Sequence, residues 1–291
     1  VTVEGRLGGR DVDDFRTWSG TVAATVAGVS FPHLAAWLAL PHQPSQGWGA
    51  LKLKFAVVNG TLAGVGVGMD LRAIETSLGD GLPALRLAQV HGRGLWQRGP
   101  DGQRLAFENL RVAQPGSALG APFDAGLAWS DASREITARA FSLSGWQAML
   151  PSLPMDAALR TRLQTLQPQG RLDDLRLRWS GAQPGIDNFS VAAHFSGVGV
   201  TASGRQPGLA NLSGRIEGDA GAGVFELDST GLVLSLPELF HEPSFGFDTL
   251  RASGSWKKTR RGHLLTLREL RFANADMAGT ARGHYELIAG Q

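Results

Sequence analysis

The chain has 291 residues and 30.8 kDa, with 43% hydrophobic and 19% charged residues. That apolar content excludes a disordered chain, 39 Gly and 14 Pro exclude a coiled coil, and no apolar run reaches the roughly 20 residues that a spanning helix needs. No cysteine is present, so disulfides and thiolate chemistry are excluded, and a formal net charge of +2, with 24 Arg and four Lys spread along the chain, gives no nucleic-acid footprint.

The sequence begins at Val1 with no basic and apolar leader behind it, and ends at Gln291 just after a strand-like run. It reads as a piece of a longer chain, with any signal or membrane anchor outside it. The first predicted element is a helix over 32–40, with Ser30 as N-cap and Pro32 in the first turn. A strand follows over 51–57, where Leu51, Leu53, Phe55 and Val57 alternate with Lys52, Lys54 and Ala56. Asn59-Gly60 is a hairpin turn, as is Asp101-Gly102. In 64–68 Gly alternates with Val, giving a strand one small face, which permits close backbone approach or sharp curvature. The spacing fits neither a dinucleotide loop nor a P-loop.

A second helical stretch spans 144–166, broken near Pro151 and Pro154 and stopped by Pro168 and Gly170. Its stripe of Leu159, Leu163 and Leu166, with Arg160 and Arg162 off it, needs an apolar surface, which the neighbouring sheet supplies. Period-two runs then resume. Leu175, Leu177 and Trp179 alternate with Arg176 and Arg178, and Phe189, Val191, Ala193 and Phe195 with Ser190, Ala192 and His194. Leu232, Leu234 and Leu236 share a face, and Leu265 and Leu267 precede Leu270 and Phe272 with a turn or bulge between. The apolar faces should point inward and Arg176 and Arg178 outward. Pro184-Gly185 and Arg261-Gly262 are further turns, and the basic 257–261 run is a solvated hairpin tip or, more sharply read, a contact for anionic headgroups. One greasy and one polar face suits antiparallel pairing.

Internal repetition is weak. Gly94-Leu95-Trp96 matches Gly254-Ser255-Trp256 at an offset of 160, and the same offset carries 107–112 onto 267–272. A second echo joins 64–67 to 197–200. The predicted order is helix, meander, helix, meander, divided as 1–144 and 145–291. This favours an extended, curved antiparallel β-sheet groove of repeated meanders with short amphipathic helices, the two segments forming one continuous sheet, over a closed barrel; two similar domains are the other arrangement.

Catalytic candidates are poor. The seven His (His33, His42, His91, His194, His241, His263 and His284) form no metal-site spacing, and there is no Gly-x-Ser-x-Gly elbow. His91, His194 and His284 fit a sheet surface, and Asp173-Asp174 beside Arg171, Arg176 and Arg178 fits a solvated charged face. No enzyme activity, cofactor or metal is expected. Eight Trp and 13 Phe against one Tyr make the aromatic surface mostly apolar, which serves core packing or a lipid-facing role equally.

From Leu166 onward the sequence resembles the YhdP family of AsmA-like proteins. The residues that carry the resemblance are 166–172, 175–179 and 195–200, then the Pro-Gly-Leu-Ala-Asn-Leu-Ser-Gly run at 207–214, 236–240, 254–256, the Phe-Ala-Asn-Ala-Asp run at 272–276, and 283–285. The resemblance implies a bridge-like lipid carrier built as a repeating β-groove. It also implies an inner-membrane-anchored Gram-negative protein lying mostly in the periplasm, with phospholipid transport toward the outer membrane. This chain would be an internal segment without the anchor. The implied partners are phospholipid acyl chains, with inner- and outer-membrane proteins at the ends of the full-length chain and no nucleic acid. Leu53, Phe55, Val191, Phe195, Leu234 and Leu267 are the candidates to line the groove. Each methylene removed from water gains about 0.8 kcal/mol, so an acyl chain needs such a lining along its path, while the headgroup stays at the wet edge. The alternative is a filled β module that scaffolds or binds proteins in envelope assembly; a periplasmic hydrolase would need a polar cleft with activated groups.

Overall fold

The computed structural model describes the chain apart from residues 12, 31–43, 154, 156, 182–187, 204–205, 237–243, 261 and 289–291. Two compact units divide it: Val1–Asp131 with Pro151–Met155, and Ala132–Leu150 with Asp156–Gln291. In the first, β1 (Thr2–Gly8), β2 (Ser19–Ser30), β3 (Pro44–Val58), β4 (Thr61–Thr76), β5 (Leu85–Gly99), β6 (Gly102–Ala113) and β7 (Phe123–Trp129) pair antiparallel in sequence order. The second holds β8 (Ser133–Ser142), most of a 3-10 segment (Ser144–Ser152) whose last two residues fall in the first unit, and helix α1 (Ala157–Leu166). It continues with β9 (Gln169–Ser180), β10 (Phe189–Val200), β11 (Gly208–Asp219), β12 (Ala222–Ser235), β13 (Ser244–Lys258), β14 (Gly262–Ala273) and β15 (Ala278–Ile288), again antiparallel in order. The fold is mainly β, and among the described residues the outermost strands of each unit do not pair with each other, so neither meander closes.

Alternation decides which way the strands face. Leu175 and Leu177 are half-buried and Trp179 is buried at 8% exposure, while Arg176 and Arg178 are exposed, as the sequence predicts. Leu51, Leu53, Phe55 and Val57 turn inward between exposed Lys52 and Lys54. At the Asn59-Gly60 turn both residues are left-handed (φ 48° and 69°), the type I′ geometry whose twist matches the flanking strands. The 160-residue echo is a true structural repeat: Gly94 pairs with Phe107 and Trp96 with Leu105, and Gly254 pairs with Leu267 and Trp256 with Leu265. The 64–67 and 197–200 echo does not share that frame, since it lies on β4 and β10.

A line of bulges crosses both meanders. Each even-numbered strand from β2 to β12 contains a residue with φ between 50° and 67° (Gly28, Ala73, Asn109, Ala140, Gly197 and Gly231), as does β11 at Asn211. The register slips beside all of these except Ala140, which the β8–β9 pairing passes without a shift. In β14 the register slips between Leu267 and Leu270, where a bulge is predicted. Two exposed residues then sit between inward ones, as Glu108-Asn109 between Phe107 and Leu110, or Thr230-Gly231 between Ser229 and Leu232. The extra residue bends the strand and resets its phase. Amides freed there find side chains: Asn109 N donates to Asp124 Oδ1 at 2.9 Å, and Gly197 N to Ser213 Oγ at 2.9 Å. Ser213 N in turn donates to Ser229 Oγ at 2.9 Å, and that hydroxyl donates back to Ser213 O at 3.3 Å.

Several expectations change. The predicted helix over 32–40 and the turn at Pro184-Gly185 lie outside the described residues, and strands β1 and β2 precede that segment, ahead of any predicted element. The 144–166 stretch breaks as predicted into a 3-10 segment containing Pro151 and helix α1. Helix α1 has no fully buried residue: of its leucine stripe Leu163 and Leu166 are half-buried and Leu159 is 49% exposed. A covering contact comes from the 3-10 segment, where Trp146 stacks on Phe141 of β8 with ring centres 5.2 Å apart. Leu265 turns to the apolar side yet stays 37% exposed. Gly66 and Gly68 face Lys54 and Lys52 at ordinary contact distance, so no close approach requires them.

Ser229, 1% exposed, is the buried hydroxyl that seals the β11–β12 bulge. Ser229→Ala leaves the Ser213 amide without its acceptor and should cost about 1–3 kcal/mol, read as a lower urea midpoint with unchanged slope.

Candidate functional site

The register of the second unit lays side chains in rows across the strands. One row runs Leu177, Val191, Gly218, Gly223, Trp256, Leu265 over β9 to β14. The next runs Leu175, Ala193, Ile216, Phe225, Gly254, Leu267, and a third Leu172, Phe195, Gly214, Leu227, Ala252, Leu270. No charged side chain interrupts these three rows. In the first unit Val22, Phe55, Val65, Trp96, Leu105 and Leu127 form the equivalent row. Within the second unit, Val191, Phe195 and Leu267 therefore share one face, while Leu234 lies beyond the bulge line between Leu209 and Phe245. Leu53 and Phe55 share a face of the first unit. All six are half-buried.

The lining is low because aromatic rings lie over glycines of the adjacent strand. Gly223 pairs with Trp256 and Phe225 with Gly254, and each ring occupies the space where the opposite glycine's Cβ would stand. A Cβ on Gly218 would meet Trp256 at 2.7 Å, and one on Gly279 would meet Phe272 at 2.7 Å. The indole N–H of Trp256 donates to Asp219 O at 3.1 Å, which holds that ring flat. The paired Gly-x-aromatic spacing, Gly223-x-Phe225 against Gly254-x-Trp256, is the sequence signal that marks this lock, and single-strand alternation does not reveal it.

The opposite face is polar, and several of its charges are paired. Asp174, His194, Arg215 and Glu226 are consecutive in register. Arg215 forks onto both Glu226 oxygens at 2.7 and 3.1 Å, and Arg251 meets Asp228 at 3.2 Å. A depression of about 250 Å³ on this face is lined by these charged groups. The expected solvated pair is Arg171 with Asp173, 2.9 Å apart, and His91, His194 and His284 are exposed on strands. Among the described residues no group of three His, Asp or Glu is placed to hold a metal, no helix is long and apolar enough to cross a membrane, and the sequence has neither catalytic motif nor cysteine.

The hydrogen bond from Arg215 holds the Glu226 carboxyl below its ordinary range, and the amides of Ala222 and Gly221 do the same for Asp219. A depressed folded-state value stabilises above the unfolded value and is lost as pH falls through the folded one. Stability should therefore drop as acid passes below the ordinary carboxylate range, and Glu226→Gln with Asp219→Asn should flatten that acid limb in denaturation midpoints. Gly223→Val drives Trp256 out of its seat and should cost about 1–3 kcal/mol, whereas Gly66→Val, with open space beside Lys54, should leave the midpoint unchanged.

No curated protein and no solved structure matches the chain. A family model described as YhdP protein matches residues 1–291. A match over the whole length supports a general role in lipid-transport bridging, and the chain belongs to the YhdP family of AsmA-like proteins.

Proposed function

We propose that this chain is a periplasmic segment of an inner-membrane-anchored, bridge-like protein, and that it carries phospholipids toward the outer membrane on its apolar sheet faces. The two segments 1–144 and 145–291 supply successive lengths of that path. The observation that carries the reading is the set of uninterrupted apolar rows that stay half-buried: Val191, Phe195, Phe225, Leu227 and Leu267 all keep solvent access on one side. A filled sandwich would seal such side chains under a second sheet. An acyl chain on these rows gains about 0.8 kcal/mol per methylene, and the absence of charge in the rows leaves nothing to pin a sliding chain. Membership of the YhdP family supports the same reading. Membrane proteins at the ends of the full-length protein are its further partners.

Val191→Asp and Leu234→Asp each place a carboxylate on the path, at a desolvation cost that an acyl chain cannot repay. Lipid co-purifying with the chain, normalised to folded protein by circular dichroism, should fall severalfold in both, while Arg176→Ala on the polar face should match the wild type. Wild-type protein that neither carries lipid nor takes it from labelled vesicles would refute the reading.

A further inference from the structure

The apolar face is not uniform along its strands. At the edge of the tight hairpins 59–60 and 100–101 in the first unit, and of the 220–221 hairpin and the β13–β14 connection in the second, each set of apolar rows ends in a tryptophan and a cation. Arg98 follows Trp96 by two residues on the same face of β5, its guanidinium 5.6 Å from the ring centre, and it pairs with Gln103, which in turn pairs with Trp129. The Trp96 indole N–H donates to Gln103 Oε1 at 3.2 Å.

In the second unit Arg134 of β8 stands opposite Trp179 of β9, and its Nη1 donates to Gly181 O, which fixes the guanidinium at that edge. The Trp179 indole N–H is buried with no hydrogen-bond partner among the described residues. Lys258 follows Trp256 by two residues on the same face of β13 and pairs with His263. None of these border positions is a carboxylate. The nearby Asp219 belongs to the other face and turns its Oδ1 to the amides of Gly221 and Ala222, at 2.7 and 2.9 Å. At the opposite end of the second unit's strands, Leu232, Leu234, Phe245 and Phe247 keep the face apolar.

A face that is cationic and tryptophan-bordered at one end and hydrocarbon at the other matches a molecule with an anionic head and apolar chains. Arginine recognises phosphate oxygens through paired N–H donors, and tryptophan suits the boundary between wet and apolar zones. On the polar face Arg215, Arg251 and Arg271 are each bridged to a carboxylate, and Arg176 and Arg178 point away from the apolar rows. We propose that the hairpin edge takes the phosphate of a glycerophospholipid, through Arg98 in the first unit and through Arg134 and Lys258 in the second, with the acyl chains running along the strands toward the opposite edge. This rests on the acyl-chain reading above.

The test compares R98Q/R134Q/K258Q with wild type and with R176Q/R178Q on the polar face, all verified by circular dichroism. Each is titrated with dioleoylphosphatidylglycerol and with diolein, which has the same chains and no phosphate, in one neutral detergent at low salt. The triple variant should bind the phospholipid about tenfold more weakly or worse, and diolein within about twofold of wild type. The polar-face variant should match wild type for both. Unchanged phospholipid binding by the triple variant, or equal loss of both lipids, overturns the headgroup edge while leaving the acyl-chain reading in place. Wild-type protein that binds neither lipid overturns both.

Discussion

Every strand must keep its apolar side chains on one side over its full length, and a long twisted strand with strict period two cannot also bend without losing phase. The bulge line resolves that conflict. A left-handed residue in each of β2, β4, β6, β10 and β12 adds a position, bends the strand and returns the next apolar side chain to the same face. The cost is a set of amides with no ladder partner inside a sheet. Asp124, Ser213 and Ser229 answer three of them, so these few polar groups permit the apolar rows to continue on both sides of the bend. Ser229 is the most buried polar side chain described because it faces the apolar side and must still make two hydrogen bonds.

A sheet face left without a second layer has to be smooth as well as apolar. Upright tryptophans would divide it into compartments. The reciprocal seating of Trp256 over Gly223 and of Phe225 over Gly254 lays large rings along the sheet, where they cover backbone and fill the gaps that the glycines leave. The same arrangement explains why Gly recurs on the apolar rows of the second unit at 218, 223 and 254, while Gly214 is required by the close backbone of Glu226 and Leu227. The glycines of β4 at 64, 66 and 68 belong instead to the polar face, beside Lys52 and Lys54, where no ring lies over them.

Period two was the legible part of the sequence. The inward placing of Leu175, Leu177 and Trp179 against Arg176 and Arg178 follows from it alone, because no bulge separates those five residues. The 160-residue echo was also legible, since Gly94, Trp96, Gly254 and Trp256 are rare residues at fixed spacing. Bulges were legible in β14, where two charged residues break a leucine pattern, and hidden in β4, where Ala73 takes a left-handed conformation that alanine disfavours. The helix α1 stripe was legible only in part, for a different reason: three leucines at helical spacing establish amphipathicity and say nothing about how far a neighbour covers them. The six groove candidates fall on apolar faces because alternation places them there. The rings seated on glycines escaped notice because that contact joins two strands, and its signal appears only when both are aligned in register.

Two polarities are superimposed on the same strands. Across the sheet, one face is charged, and on it Arg215 pairs with Glu226 and Arg251 with Asp228. Along the strands, the apolar face runs from hydrocarbon to a border of Trp and cation at the hairpins. The first polarity keeps the charged face wet. The second operates within the apolar face, where fewer waters compete and a cation beside low-dielectric rows acts more strongly than one in bulk solvent. A lining that carried its cations in the middle of the rows would trap an anionic lipid at one point. Keeping them at the margin confines the cations to the edge and leaves the hydrocarbon rows unobstructed, which in the proposed role orients a lipid without anchoring its chains.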